Sequence, residues 1–423
     1  MSLGIRGTSV FAGFAISILI GRMFGPEANG HYALITQTGM FLSVVAVGGL
    51  DLAITREFSA AIARKVRIAR STFLRAVGYS MAIVCGLLLL LKMVGTPLLD
   101  RLFNGDTPQD ALAVLALIMV SRALTRMLGA VLRSQRAYAW GQSVEVLLIP
   151  TTVLFLVAAN LARSVEQVLW MTAIVGLTIG FTAFLTCFRY TSRSEDALRV
   201  PMRQLLKVSM PLWGVAIFLN IADWYGLATV SQVLGVYSAG LYRVAVQVAS
   251  VLGIITMGLF SIFSPQFAAA YAASDMRRVA HLAGTATRLS TIFSFPIAVL
   301  LFVFAHPVLQ MFGPEFVAAE TVLRIVVVGQ AMFTITGPAG LLLAMTGHER
   351  INLMVTLSST GALLVAAPIA GYYAGLNGIS VCMALVMISR NLASVYFVYR
   401  LNGINVLTGR LREEWKPKAS PSG

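Results

Sequence analysis

The sequence predicts an all-α integral membrane protein of about twelve transmembrane helices, in two parallel six-helix lobes around a central cavity, with both termini cytoplasmic. Three observations predict it. The 423 residues are 58% hydrophobic and only 12% charged, too little polar surface for a water-soluble fold. About twelve apolar runs approach or exceed the roughly 20 residues that a helix needs to cross a bilayer. A polar turn, GPEANGHY, returns once: Gly25, Gly30 and Tyr32 share their spacing with Gly235, Gly240 and Tyr242, at an offset of 210.

In order, the runs lie at roughly 7–24, 31–54, 72–94, 110–131, 141–161, 167–188, 208–231, 238–262, 287–310, 318–345, 352–372 and 377–399. They are rich in Leu, Ala, Val and Gly, and an open strand cannot satisfy its backbone in lipid, so each is read as a helix. The first run has no small-residue cleavage site after it and reads as a first span. Cys85, Cys187 and Cys382 all fall inside apolar runs, without metal spacing, and read as small core residues.

The links alternate in charge. One set carries Arg56, Arg64, Lys65, Arg67 and Arg70, then Arg133 and Arg136, then Arg193 to Lys207, then Arg277, Arg278 and Arg288, then Arg350 and the tail. With the helix ends on that side, it holds 23 of the 32 Lys and Arg residues. The other set has four basic residues and seven acids, Glu27, Asp100, Asp106, Asp110, Glu166, Glu315 and Glu320. Positive charge marks the cytoplasmic side, so both termini are expected there. The net charge of +15 follows from this placement and does not call for nucleic acid. The basic segments 56–71 and 265–288 read as connecting helices lying on anionic headgroups.

Two further landmarks keep the offset. Pro97 and Pro307 are 210 apart, and Arg189 and Arg400, each behind an aromatic residue, are 211 apart. A duplicated unit explains all three echoes. An offset of six helices makes the repeats parallel, which implies two lobes with a cleft between them. The expected divisions are 1–190 for the first lobe, 191–207 for a cytoplasmic linker, 208–400 for the second lobe and 401–423 for a tail.

Five arginines fall within helices: Arg122 and Arg126 in the fourth, Arg243 in the eighth, Arg324 in the tenth and Arg390 in the twelfth. Each costs roughly 3 kcal/mol or more near the bilayer centre. Only one acid, Asp223 in the seventh helix, is expected at comparable depth, with Asp51 and Glu145 nearer the cytoplasmic ends. The surplus points to a cationic cavity for an anionic ligand, with snorkelling towards an interface as the other role open to each arginine. Asp223 is either a site for a coupling proton or cation, or a partner for one arginine. Trp224 and Tyr225 beside it either stack on a sugar or pack internally. Pro150, Pro211, Pro296, Pro338 and Pro368 are expected to bend their spans.

No G-x4-G-K-[ST] loop is present, so no nucleotide hydrolysis is expected. His31, His281, His306 and His348 lack metal spacing. No cofactor and no metal are expected, and no soluble segment is long enough for a catalytic domain.

The residues also carry a family resemblance. GRMFGPEANGHYALI follows the first helix and GGLDLAITREFS ends the second. DWYGLATVSQVLGVYSAGLYRVA spans the seventh and eighth helices, and LQMFGPEFVAAETVLRIVVVG the ninth and tenth. In this order, over nearly the whole chain, they resemble the polysaccharide-repeat-unit flippases of O-antigen and exopolysaccharide pathways. Those belong to the multidrug/oligosaccharidyl-lipid/polysaccharide exporter superfamily. The resemblance implies a cationic lumen between two six-helix lobes in a bacterial inner membrane. It implies an undecaprenyl-diphosphate-linked oligosaccharide as substrate, surrounding membrane lipid, and a polysaccharide polymerase and co-polymerase as partners. Asp223 matches an acidic position of the family's seventh helix. Gly-Gly-Leu-Asp at 48–51 departs from the family's more frequent Asp-Leu-Gly and leaves the role of Asp51 open. The rival readings are a multidrug antiporter, an exporter of another lipid-linked precursor, an integral membrane enzyme and a structural subunit.

Overall fold

The computed structural model describes residues 2–63, 68–192 and 200–412. Residues 64–67 of the basic segment 56–71, residues 193–199 of the linker expected at 191–207, and residues 413–423 of the tail lie outside these residues.

Hydrophobicity fixes the class. Among the described residues nine helices are long and apolar enough to cross a membrane, and they make the chain a multi-pass membrane protein. Three of these helices are too long for one crossing. The helix α1 runs Ser2–Val47, α8 Met202–Ala272 and α13 Glu349–Asn402. At 1.5 Å per residue, the 46 residues of α1 rise about 69 Å, more than twice a bilayer core. Each is broken by one glycine: Gly25 (φ 83°, ψ −178°) in α1, Gly235 (φ 85°, ψ 169°) in α8 and Gly375 (φ 59°, ψ −147°) in α13. These φ values favour glycine because a Cβ would clash with the backbone. Gly25 and Gly235, the duplicated pair, share one backbone conformation.

The other elements follow in order. They are α2 Leu50–Ala63, α3 Arg70–Leu102, α4 Ala111–Ser134, α5 Tyr138–Gln142, α6 Leu148–Ala158 and α7 Val165–Cys187; after α8 come α9 Met276–Val303, α10 Ala305–Gln310, α11 Glu320–Thr336 and α12 Ala339–Met345. Two short strand pairs complete the description. Ile68–Ala69 pairs in parallel with Thr191–Ser192, and Ile404–Asn405 pairs antiparallel with Arg410–Leu411.

Several expected spans are corrected. The run 31–54 is not one helix, because Gly48 (φ 63°) and Gly49 (φ 69°) end α1 and α2 starts at Leu50. The run 318–345 breaks at Gly337 (φ 67°) and Pro338 into α11 and α12. At Gly337 an added Cβ would collide with the Thr287 hydroxyl of α9. The run 287–310 divides at Phe304 into α9 and α10. The run 141–161 contains a π-helical turn, Ser143–Leu147. Pro150 explains where that distortion falls: it has no N–H to give the Val146 carbonyl. The Ser9 hydroxyl of α1 donates to that carbonyl instead, at 2.5 Å.

The chain divides into two compact units, Met1–Arg243 and Val244–Gly423. In the first, Ile16 and Ile20 of α1 pack with Ile149, Val153 and Val157 of α6 and Val168 of α7. In the second, Phe267 of α8, Val279 and Ala283 of α9, Leu342 and Leu343 of α12 and Val398 of α13 form a buried cluster with Ile404. Buried Asn402 there donates to Thr346 Oγ1 at 2.8 Å, tying α13 to the end of α12.

Candidate cationic site in the first unit

The duplicated turns meet each other. A Cβ placed on Gly30 would collide with the Val236 carbonyl, and one placed on Gly240 would collide with the Pro26 carbonyl. Val236 follows Gly235 as Pro26 follows Gly25, so the two contacts are equivalent under the 210-residue offset. The turns therefore pack about a local two-fold, backbone against backbone, and only glycine permits the approach.

Directly after each turn comes the motif tyrosine. Tyr32 hydrogen-bonds with Thr172 of α7 and feels the charges of both Arg122 and Arg243. Arg122 of α4 and Arg243 of α8 thus both lie within electrostatic range of one phenol. Arg243 also feels Asp223 and Tyr242. Among the described residues Arg122 makes no ion pair, and its Nε is buried without a hydrogen-bond partner. A guanidinium left so is costly unless something anionic joins it.

The other arginines differ. Arg126 Nε donates to Asp51 Oδ2 at 2.6 Å, and Asp51 is 5% exposed. Asp51 is thus a buried charge partner of Arg126. Arg133 pairs with Glu145. Arg122, Arg126 and Arg133 are spaced i, i+4 and i+11, which places them on one face of α4. Arg324 pairs with Glu320 at 2.7 Å, donates to the Phe302 carbonyl at 3.2 Å and lies 5.6 Å over the Phe302 ring. Arg390 is half-buried in α13, in the second unit. Asp223 is exposed along α8. Trp224 stacks on Phe41 at 5.1 Å and donates to Thr38 Oγ1 at 2.9 Å, so its ring and N–H are engaged in packing α8 on α1.

At the polar turn outside the apolar crossings, His31 lies 2.9 Å from the Asp106 carbonyl and 3.3 Å from its carboxylate, stacked on Phe103. Glu27 shares a hydrogen bond with the Asp106 carboxyl. That bond, with burial and the Asp106 charge behind it, holds the Glu27 carboxyl above its ordinary range.

The position of Asp51 beside Arg126 was not legible in the sequence, because their 75-residue separation carries no pattern. Tyr32 was visible as part of a repeated turn, but not as the group two arginines share.

The model of the polysaccharide biosynthesis protein family matches residues 19–319, more than half of the chain. No curated protein sequence matches. Among solved structures, an inward-facing multidrug resistance MATE family transporter of the MOP superfamily has a TM-score of 0.71 at 15% identity, with 96% of this chain and 94% of that chain covered. The lipid II flippase MurJ in an inward closed conformation has a TM-score of 0.74 at 13% identity, with 93% and 86% covered. The MATE transporter DinF-BH gives 0.61 at 15% identity, with 96% and 94% covered. At these identities the structures establish a shared fold. By its match to the family model over residues 19–319, the chain belongs to the polysaccharide biosynthesis protein family.

Proposed function

We propose that this chain is a flippase that moves an undecaprenyl-diphosphate-linked oligosaccharide repeat unit across the bacterial inner membrane by alternating access. The product feeds assembly of an O-antigen, capsule or exopolysaccharide. The observation that carries the reading is the pair Arg122 and Arg243, both within electrostatic range of Tyr32, with no acid paired to Arg122 among the described residues. A diphosphate needs planar, bidentate donors to offset its dehydration, and arginine supplies them. Family membership supplies the pathway, and the fold shared with MATE transporters and MurJ supports transport rather than catalysis.

In this reading the three glycine-broken helices cross twice each, which gives twelve crossings from nine helices. The two six-helix lobes span 1–190 and 208–400, the segments between and after them are cytoplasmic, and no cofactor is needed. Arg126 extends the cationic lining within the first unit, Arg324 and Arg390 are candidate anion contacts within the second, and Asp223, beside Arg243, is the candidate for ion coupling. A polymerase and co-polymerase take up the product. The exposure of Asp223 favours one second reading, a multidrug or other precursor exporter of the same superfamily that binds a cation there.

Lipid extracts of cells lacking the gene test the choice. Accumulation of a diphosphate-linked oligosaccharide on the cytoplasmic leaflet supports the repeat-unit flippase. Unchanged lipids with increased sensitivity to cationic drugs refute it.

A further inference from the structure

The arginine face of α4 has a graded arrangement that the anion-transport reading does not by itself require. Arg133 is paired with Glu145, Arg126 with Asp51, and Arg122 with no acid among the described residues. The three span eleven residues, about 16 Å along the helix axis. Asp51 belongs to the first turn of α2, directly after the two left-handed glycines. A close backbone approach that only glycine permits sits at the same break. A Cβ on Gly49 would lie 2.6 Å from the Ser209 carbonyl and 2.8 Å from Trp213 Cβ of α8. The end of α1 at the break is held by one side chain, as Ser80 of α3 donates to the Ala46 carbonyl at 3.3 Å. Thus α2 connects to α1 through two residues with no Cβ, and the Asp51–Arg126 pair is its buried polar tie to α4, beside the buried apolar side chains of Leu50, Ile54 and Phe58.

We propose that Asp51 is an internal stand-in for the substrate's anionic group at Arg126. The transported anion, a diphosphate or acidic sugar, displaces Asp51 from Arg126, and α2 then turns about Gly48–Gly49. The inference rests on the anionic-substrate reading and adds a second anion subsite to it, one occupied by the protein's own carboxylate when substrate is absent. A carboxylate and a phosphate oxygen present the same acceptor geometry to the guanidinium fork, so exchange conserves the hydrogen bond. It also puts the ligand's own negative charge at Arg126 in place of the α2 carboxylate and leaves Asp51 charged but unpaired, which supplies the differential interaction that a conformational change requires. Beyond its break at Gly235, α8 offers no counterpart: Gly258, at the offset of Gly48, lies inside an unbroken helical stretch.

The full-length chain in detergent, titrated with a short-chain polyprenyl diphosphate, tests this. Spin labels at Leu52 of α2 and Leu89 of α3, both exposed, report the hinge after the native cysteines are replaced. Asp51→Asn is expected to bind the probe about tenfold more tightly, the equivalent of about 1.4 kcal/mol. Its probe-free label distance should match that of the probe-bound wild type. If Asp51→Asn changes neither affinity nor distance while Arg122→Ala abolishes binding, the exchange is wrong and the transport reading stands. If neither variant alters binding, the anionic-substrate reading falls and the exchange falls with it. Should Asp51→Asn fail to fold, the charge-swapped double variant Asp51→Arg with Arg126→Asp keeps an ion pair. It is expected to bind the probe about tenfold more weakly and to show no probe-induced change in distance. Wild-type affinity in that variant overturns the exchange.

Discussion

Replacing Gly30 or Gly240 with alanine tests the paired turns directly. Each substitution places a methyl group on a backbone carbonyl, Val236 for Gly30 and Pro26 for Gly240. A backbone carbonyl cannot rotate aside as a flexible side chain would. Overpacking of this kind costs about 1–3 kcal/mol, here as separation of the α1 turn from the α8 turn. Separation by that amount shifts the closed-to-parted population roughly 5–150-fold. Because both clashes act across one contact, the turns need part only once. The double variant should therefore cost little more than either single, a coupling of about 1–2 kcal/mol between neighbouring sites. Gly13→Ala is the control, since a Cβ there meets nothing within 4 Å, and alanine favours a helix by up to about 1 kcal/mol. Cysteines at Glu27 and Tyr237, equivalent positions of the two turns, give the readout through the rate of reaction with a short bismaleimide. Both single variants should slow it, the double should match them, and Gly13→Ala should leave it unchanged. Wild-type cross-linking in either single, or strictly additive losses in the double, would refute the paired-turn packing.

Other outcomes follow from individual contacts. Ser9→Ala leaves the Val146 carbonyl with neither the Pro150 N–H nor a hydroxyl donor, at a cost of about 1–3 kcal/mol, measurable as a lowered thermal midpoint; Ser9→Thr should recover most of it. Arg122→Lys keeps the charge but loses the planar fork, so export should fall well below wild type yet stay above Arg122→Ala; equal rates in all three would remove Arg122 from the site. The Glu27 carboxyl is held above its ordinary range, so its contribution to the turn is full below that range and is lost as pH rises through the raised value. Proteolytic resistance of the turn should accordingly decline across that interval, and Glu27→Gln should flatten the profile.

The fold was legible wherever a single residue type carries the signal. Glycine at Gly25 and Gly235 marks a backbone conformation that other residues resist, so the two kinked turns stood out as a repeat. Apolar runs marked the spans for the same reason, through a local property averaged over about 20 residues. The breaks at Gly48–Gly49 and Gly337–Pro338 were missed because hydrophobicity continues unbroken across them, and a glycine pair inside an apolar run also suits close helix packing. The site was half legible. Arginines buried in helices announce a polar interior, since their cost must be compensated, but sequence cannot tell which are already neutralised. Arg126 finds Asp51 across 75 residues, whereas Arg324 finds Glu320 one turn away, an i,i+4 pair that spacing alone could have supplied.

The repeat is symmetric where the turns meet and asymmetric in the interior, and this division has a physical basis. Closing two equivalent segments on one another favours identical backbone, because a two-fold contact is satisfied twice by one solution. The substrate proposed above, with a charged head and a long apolar tail, has no such symmetry, so under that proposal the residues that meet it gain nothing from being duplicated. The arginine face of α4 and the glycine break before Asp51 belong to the first repeat, while the equivalent stretch around Gly258 remains a plain helix. Breaking a helix inside lipid exposes backbone groups that must be paired, and the Ser80 hydroxyl meets part of that need at Ala46. Had the second repeat kept the same break, it would carry the same cost without an arginine stripe to act on. Divergence confined to one repeat is therefore the arrangement expected if the Gly48–Gly49 break is coupled to the charges of α4. Replacing Leu259 with glycine, which completes a Gly-Gly pair with Gly258, should destabilise the chain without restoring activity to an Asp51→Asn variant. Restoration would place the hinge in the bare glycine pair and detach it from the ion pair.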